Sequence, residues 1–168
     1  MSNALSSIPA GAWVAIDTNI LVYASQQRSP ECIEFLRRCA SGELQGVVPV
    51  PMVAELVHSL MLIEARENNW IERANAARAL AKRPELVRRL TRYEIQMREF
   101  FSIGLRIEPV GAVDILEAMR IQKEAGLLTN DALLLAVARR LNCEAVASAD
   151  KAIAQAPGFT VHMPGDIL

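Results

Sequence analysis

The sequence has few aromatic residues, few cysteines and no long hydrophobic segment. Of its 168 residues, 52% are apolar, yet no apolar run approaches the roughly 20 residues that a membrane-spanning helix needs. The first residues lack the basic and apolar regions of a secretory signal, so we expect no membrane attachment and a cytoplasmic location. The three cysteines form no C-x-x-C pair, and free thiols are expected in that reducing compartment.

Motifs of several enzyme classes are also missing. The sequence contains neither the G-x-G-x-x-G and P-loop sequences of nucleotide-binding proteins nor the G-x-S-x-G sequence of serine hydrolases. The only histidines, His58 and His162, are far apart and belong to no zinc-binding motif. Asn19 stands where haloacid-dehalogenase-like phosphatases need a second aspartate. A net charge of −1 does not indicate a nucleic-acid partner, although a bound divalent cation can reverse the sign of an acidic site.

Strand patterns alternate with helix patterns along the chain. Buried strands are predicted over residues 13–16, 46–50, 105–110, 144–148 and 159–161. Helices are predicted over residues 30–40, 51–63, 113–125, 130–141 and 151–156. This alternation predicts an α/β fold of three layers, α/β/α, with a central parallel sheet. We interpret residues 1–168 as a single domain with a helical excursion in the middle of the chain.

Four acidic residues occupy positions at which a parallel sheet presents ligands. Asp17 directly follows the first predicted strand, and Asp150 lies two residues beyond a later one. Both leave the carboxyl ends of strands, where open parallel sheets bind ligands. Glu55 and Asp131 lie near the starts of helices that can open on the same edge. Converging carboxylates repel each other unless divalent cations neutralise them, and oxygen ligands suit Mg²⁺ or Mn²⁺.

Each of these acids also has a purely structural interpretation. Asp17 and Asp150 are placed to cap the helices that follow them. Asp131 is placed to interact favourably with a helix dipole, while a neighbouring polar residue caps that helix. Glu55 borders an apolar stripe, where burial of an unpaired acid is costly. Its structural interpretation is that it lies on the exposed, polar face of its helix.

Taken together, the pattern resembles the PIN-domain family of metal-dependent ribonucleases, above all the toxins of bacterial and archaeal toxin–antitoxin pairs. The matching segments are V-A-I-D-T-N-I-L-V-Y-A (14–24), P-M-V-A-E-L (51–56), G-L-L-T-N-D-A-L-L-L-A-V-A-R-R-L (126–141) and E-A-V-A-S-A-D (144–150). The residues that match the family's four metal-binding and catalytic acids are Asp17, Glu55, Asp131 and Asp150. The neighbours expected to hold these carboxylates or bound water in place are Thr18, Asn19 and Ser148.

The resemblance implies an endoribonuclease that uses Mg²⁺ or Mn²⁺ to hydrolyse RNA phosphodiesters with an activated water. It further implies a homodimer and, for a toxin, a cognate antitoxin protein as partner. Two alternatives stay open: a binding or scaffold module without catalysis, and a PIN nuclease that processes RNA outside a toxin–antitoxin pair. Four retained acids favour an enzyme, because an inactive module has no need to keep mutually repelling charges.

The excursion, residues 64–100, is predicted as two helices broken near Pro84. It carries nine of the 18 basic residues against six acidic ones. A solvated face with charge pairs along its helices is one interpretation, and contact with RNA phosphates is the other.

Overall fold

The computed structural model describes residues 3–167, whose strands form one parallel sheet. The strands are β1 (Asn3–Ala4), β2 (Trp13–Ile16), β3 (Gln45–Pro49), β4 (Arg106–Glu108), β5 (Ala145–Ala147) and β6 (Val161–Met163). Their order in the sheet is β1-β6-β5-β2-β3-β4, and every neighbouring pair is parallel. Helices flank this sheet, so the predicted α/β fold is confirmed.

Helices alternate with the strands as the sequence predicts, but the helix that directly follows β2 was not predicted. The helices are α1 (Thr18–Ser25), α2 (Pro30–Ala40), α3 (Val50–Glu67), α4 (Ala76–Ala81), α5 (Pro84–Val87), α6 (Arg92–Ser102), α7 (Ala112–Ala125), α8 (Thr129–Arg140) and α9 (Lys151–Ala154). β5 is buried throughout and β2 everywhere except Trp13, because helices pack on both faces of the sheet. Within the described residues, no helix is both long enough and apolar enough to cross a membrane.

One edge of the sheet differs from the prediction. β1 is not predicted, because two residues are too few to show the alternation that marks a strand; they pair with His162 and Met163 of β6. The last strand begins at Val161, two residues later than predicted. Gly158 has a φ of +80°, and the turn at this glycine delays the start of extended pairing.

The excursion contains more breaks than the predicted one near Pro84. α3 continues to Glu67, and Asn69 and Asn75 then adopt left-handed backbone with φ of 57° and 56°. Asparagine tolerates this conformation, so the chain leaves α3 and enters α4 through two sharp turns. Pro84 does not merely interrupt a helix: it occupies the first turn of α5, where proline is favoured.

A buried carboxylate and a small core attach the excursion to α3. Glu64 is 5% exposed, and its two oxygens accept the backbone N–H groups of Thr91 and Tyr93, each at 2.9 Å. Burial raises the pKa of Glu64, but these hydrogen bonds outweigh it and leave the pKa below its ordinary value. Glu64 therefore caps α6, whose own N-cap side chain makes no capping bond. The surrounding hydrophobic cluster contains Ala65, Ile71, Leu80 and Leu90.

Arg140 joins the end of α8 to β4 and to the start of α7. Its guanidinium donates to Glu108 at 2.8 Å, to Asp114 at 2.7 Å and to the carbonyl of Pro109 at 3.1 Å. The hydrogen bond from Arg140 is the main reason why the pKa of Glu108 lies below its ordinary value. Burial raises the pKa of Asp114, but hydrogen bonds from Arg140 and the Gly111 N–H lower it overall. The network therefore stabilises the helix pair that contains α8.

Replacing Arg140 should destabilise the protein in a pH-dependent way. We expect Arg140→Gln to lower the free energy of unfolding by about 2–3 kcal/mol near neutral pH, because buried Asp114 loses its cationic partner and buried Glu108 keeps only Arg106. Both carboxyls have folded-state pKa values below their unfolded values of about 4, so this stabilisation is present above that pH and is lost as the pH falls further. Urea denaturation at about pH 7 and pH 3 should therefore show a smaller difference at the lower pH.

Arg120→Gln is the matched control for that variant. The Arg120 side chain is 72% exposed and pairs with Glu117 at the surface, so its loss should cost less than about 0.5 kcal/mol. Equal losses in the two variants would contradict a special role for the Arg140 network.

Candidate functional site

The candidate site lies where the order of strands in the sheet reverses direction. From β2 the chain moves to β3 and β4 on one side, and later to β5 and β6 on the other. The adjacent carboxyl ends of β2 and β5 therefore border a crevice, which is the usual ligand position in an open parallel sheet. Ile16 is paired with Ala147, so Asp17 and Ser148, the residues that follow them, lie side by side.

Asp17 is buried and is held by neutral hydrogen-bond donors. Its Oδ2 accepts from Ser148 Oγ at 2.5 Å and from Asn19 Nδ2 at 2.6 Å. Burial raises the pKa of Asp17 to about 6; the Ser148 hydrogen bond opposes this rise, and the Asp131 and Glu55 carboxylates add to it. Although Asp17 is the N-cap residue of α1, its side chain makes no capping bond, so the capping interpretation is wrong for this residue.

Asn19 and Ser148 connect Asp17 to the loop that precedes α9. The Oδ1 atom of Asn19 accepts from the Ala149 N–H at 3.0 Å, and Ser148 Oγ accepts from the Asp150 N–H at 3.0 Å. Ser148 is completely buried, so its hydroxyl has no competing contact with water. These bonds fix the loop and thereby hold the backbone of Asp150 beside Asp17.

The Thr18 hydroxyl does not hold a carboxylate of the site, although the resemblance implied that it would. It is buried and donates to the carbonyl of Met52 at 3.2 Å, rather than to a carboxylate. Met52 lies in the first turn of α3, three residues before Glu55. Thr18 therefore attaches the start of α1 to the start of α3 and acts on the position of Glu55 through the backbone.

Asp150 and Asp131 have different local surroundings. Asp150 caps α9, since its Oδ1 accepts the Ala152 N–H at 2.6 Å, and the capping interpretation is correct for it. Asp131 is half-buried in the first turn of α8, whose N-cap is Leu128 rather than a polar residue. Burial raises the pKa of Asp131, and the Asp150 and Glu55 carboxylates raise it further.

Glu55 is exposed, and its partner is a residue that the sequence analysis missed. Its Oε2 accepts from Asn130 Nδ2 at 3.0 Å, which connects α3 to the start of α8. In the sequence, Asn130 is an ordinary polar residue at a helix start. Its place directly before Asp131 in the triplet T-N-D is the only signal that could have indicated it.

The four carboxylates share one electrostatic environment but do not form a closed metal cage. The charges of Asp131 and Glu55 raise the pKa of Asp17, and the charges of Asp150 and Glu55 raise the pKa of Asp131. Within residues 3–167, no group of three carboxylates, imidazoles or thiols is arranged to hold one metal ion. Neutral neighbours instead hold Asp17, Glu55 and Asp150 by hydrogen bonds.

The charge around the site nevertheless suits a divalent cation. No basic side chain in the described part of the chain forms an ion pair with any of the four acids. Glu108 and Asp114, by contrast, both pair with Arg140. An oxygen-only donor set without a protein counter-charge fits Mg²⁺ or Mn²⁺, provided that side-chain rotations bring the carboxylates together.

A family comparison agrees with this fold. The family model described as "PIN domain" matches residues 14–158, which include all four acids. The chain belongs to the PIN-domain family. PIN domains are typically metal-dependent nucleases, and the resemblance seen in the sequence is confirmed. No curated protein matches the chain significantly.

Solved structures with the same fold come from bacteria and an archaeon. VapBC2 from Rickettsia felis, bound to a DNA fragment from its promoter, has a TM-score of 0.62 at 15% identity, covering 90% of this chain and 98% of that one. A toxin–antitoxin complex from Klebsiella pneumoniae has a TM-score of 0.56 at 18% identity, with 94% and 100% covered. PAE2754 from Pyrobaculum aerophilum has a TM-score of 0.56 at 15% identity, with 96% and 92% covered. These PIN-like and toxin–antitoxin structures share the fold of this domain.

Because the carboxylates of the site repel each other, the Asp131→Asn variant of this PIN domain tests the site without an activity measurement. In EDTA at about pH 7, the variant should melt no lower than the unmodified protein and at most about 2–4 °C higher, because one repelling charge is removed. The unmodified protein should gain stability in Mn²⁺, and the variant should lose most of that gain. Thermal melting in both buffers measures each effect.

Glu94→Gln, which changes an exposed acid in α6, is the control and should keep the full gain from Mn²⁺. If Asp131→Asn were destabilised by the same amount in EDTA and in Mn²⁺, Asp131 would act only on the helix dipole, which is worth about 0.3–1 kcal/mol.

Proposed function

We propose that this PIN domain is an endoribonuclease that depends on Mg²⁺ or Mn²⁺. The observation that carries the proposal is the buried Asp17 carboxylate at the crevice between β2 and β5, with which no basic side chain of the described residues pairs. Burial and the neighbouring Asp131 and Glu55 carboxylates raise its pKa to about 6. Perturbed carboxyls without a counter-charge in such a crevice are typical of functional sites, and a divalent cation would neutralise them.

In this proposal the four acids are the metal ligands, with Glu55 bound directly or through water. When bound, the metal would supply an activated water for in-line attack on a phosphodiester and would neutralise charge on the phosphate. Ser148 and Asn19 keep the Asp17 carboxylate turned towards the crevice. The amide of Asn130 holds one oxygen of Glu55 and leaves its other oxygen free to bind.

We further infer that the protein is the toxin of a toxin–antitoxin pair. Two of the structures that share its fold are, by their descriptions, a VapBC assembly and a toxin–antitoxin complex. An antitoxin protein is therefore the proposed partner, and RNA is the proposed substrate. A homodimer, a cytoplasmic location and one domain over residues 1–168 complete the proposal.

Cleavage of labelled RNA tests the proposed chemistry. With Mn²⁺ or Mg²⁺ present, the protein should cut RNA, and excess EDTA should stop it. Asp17→Asn, Asp131→Asn and Asp150→Asn should each lower the cleavage rate at least about 100-fold, because each removes a charged ligand. Glu55→Gln should be severely impaired as well.

Glu94→Gln again serves as the control and should cleave at the unmodified rate. Full activity of Asp17→Asn, or undiminished cleavage in EDTA, would refute the metal mechanism. A stability gain in Mn²⁺ without any RNA cleavage would instead favour a binding module.

A further inference from the structure

A second concave surface lies at the ends of α1 and α3 that are remote from the carboxylates. It forms an open cavity of about 500 Å³, whose apolar lining is the side chains of Val22, Ile63 and Ile71. Its basic lining residues, which we call the arginine pocket, are Arg28, Arg66 and Arg73. Arg28 follows α1, Arg66 belongs to the last turn of α3, and Arg73 lies between α3 and α4.

The arginine pocket carries positive charge that the protein does not neutralise. In residues 3–167, no carboxylate lies within 4.0 Å of Arg28, Arg66 or Arg73, whereas seven other arginines form ion pairs. Glu67 lines the same cavity, but it is paired with Arg92. The guanidinium of Arg28 lies 5.6 Å from the centre of the Tyr23 ring, which orients it without removing its charge.

Helical geometry aligns this pocket with the carboxylates. Glu55 and Arg66 are eleven residues apart in α3, close to three full turns, so they lie on the same face about 16 Å apart. Asn19 and Val22 of α1 and its C-cap residue Gln26 likewise fall on one face, spaced by three and four residues over about 10 Å. Both helices therefore run from the crevice to the pocket with aligned faces.

The chemistry of the pocket fits a phosphate group. A guanidinium presents a planar pair of donors that matches two phosphate oxygens, and three of them around one cavity favour a multiply charged backbone. The apolar walls offer contact to the sugar or base between phosphates. We propose that the arginine pocket binds backbone phosphates of the RNA strand whose scissile bond lies at the carboxylates. This inference rests on the proposed function.

Binding of a fluorescein-labelled single-stranded RNA tests the proposal without cleavage. The measurement uses Asp17→Asn protein in EDTA, and salt is varied between about 50 and 200 mM. Adding Arg28→Gln, Arg66→Gln and Arg73→Gln together should weaken binding at least about tenfold at low salt and flatten the slope of log affinity against log salt by about 2. The corresponding triple Arg→Lys protein should keep most of that slope, because each charge remains.

The matched control is Arg78→Gln, an exposed arginine of α4 that does not line the cavity. It should change neither affinity nor slope by a comparable amount. Equal RNA affinity and slope in the triple Arg→Gln protein and the Arg78→Gln control would overturn the proposal. Loss of binding to a labelled polyglutamate peptide with unchanged RNA binding would also overturn it, in favour of an acidic protein segment.

The length of the substrate separates this proposal from the proposed nuclease activity. In otherwise unmodified protein, the triple Arg→Gln change should raise KM for a long RNA, while cleavage of a dinucleotide, too short to reach the pocket, should stay the same. If no RNA were cleaved by any form, the proposed nuclease would fail, yet the binding slope would still decide the role of the pocket. An equal loss on long RNA and dinucleotide would overturn the proposal for the pocket alone.

Discussion

The parallel pairing of β2 with β5, with Ile16 beside Ala147, determines where the polar groups of the site lie. It brings Asp17 and Ser148 together at the point where the strand order reverses. The loop after β5 then hydrogen-bonds to Asn19, so Asp150 is held near the same crevice. A shift of one residue in this register would turn Asp17 away from Ser148, because successive side chains of a strand point to opposite faces.

The buried acids of this domain fall into two groups, whose pKa values are shifted in opposite directions. Glu64 accepts two backbone N–H groups, and Glu108 and Asp114 share Arg140, so each has a pKa below its ordinary value. Asp17 receives hydrogen bonds from neutral groups, and these do not offset the effects of burial and of the nearby negative charge on its pKa. The first group stabilises the fold at neutral pH, whereas Asp17 lowers its stability there. A buried acid that lowers the stability of the fold is better explained by a role in ligand binding than by a role in folding.

Periodicity and position in the sequence were sufficient to predict five of the strands and most of the helices around them, although α1 was missed, and they placed all four candidate acids near one edge of the sheet. These features depend on local pattern and on the general rule that ligands bind at the carboxyl ends of parallel strands. The contacts of Thr18 with Met52 and of Asn130 with Glu55 were not predictable, since each joins residues that only tertiary packing brings together. The breaks in the excursion were missed because left-handed asparagines leave a weaker signal than proline or glycine.

The net charge of −1 conceals a separation of charge along α3. Glu55 lies near one end of this helix and Arg66 near the other, on the same face, so one rigid element contributes to both the acidic crevice and the arginine pocket. The Thr18–Met52 hydrogen bond fixes the first end of α3, and Glu64 fixes the other end against α6. Because both ends are fixed, the spacing between the two charged surfaces is determined by helix length. A flexible polyanion must match that spacing to contact both surfaces at once.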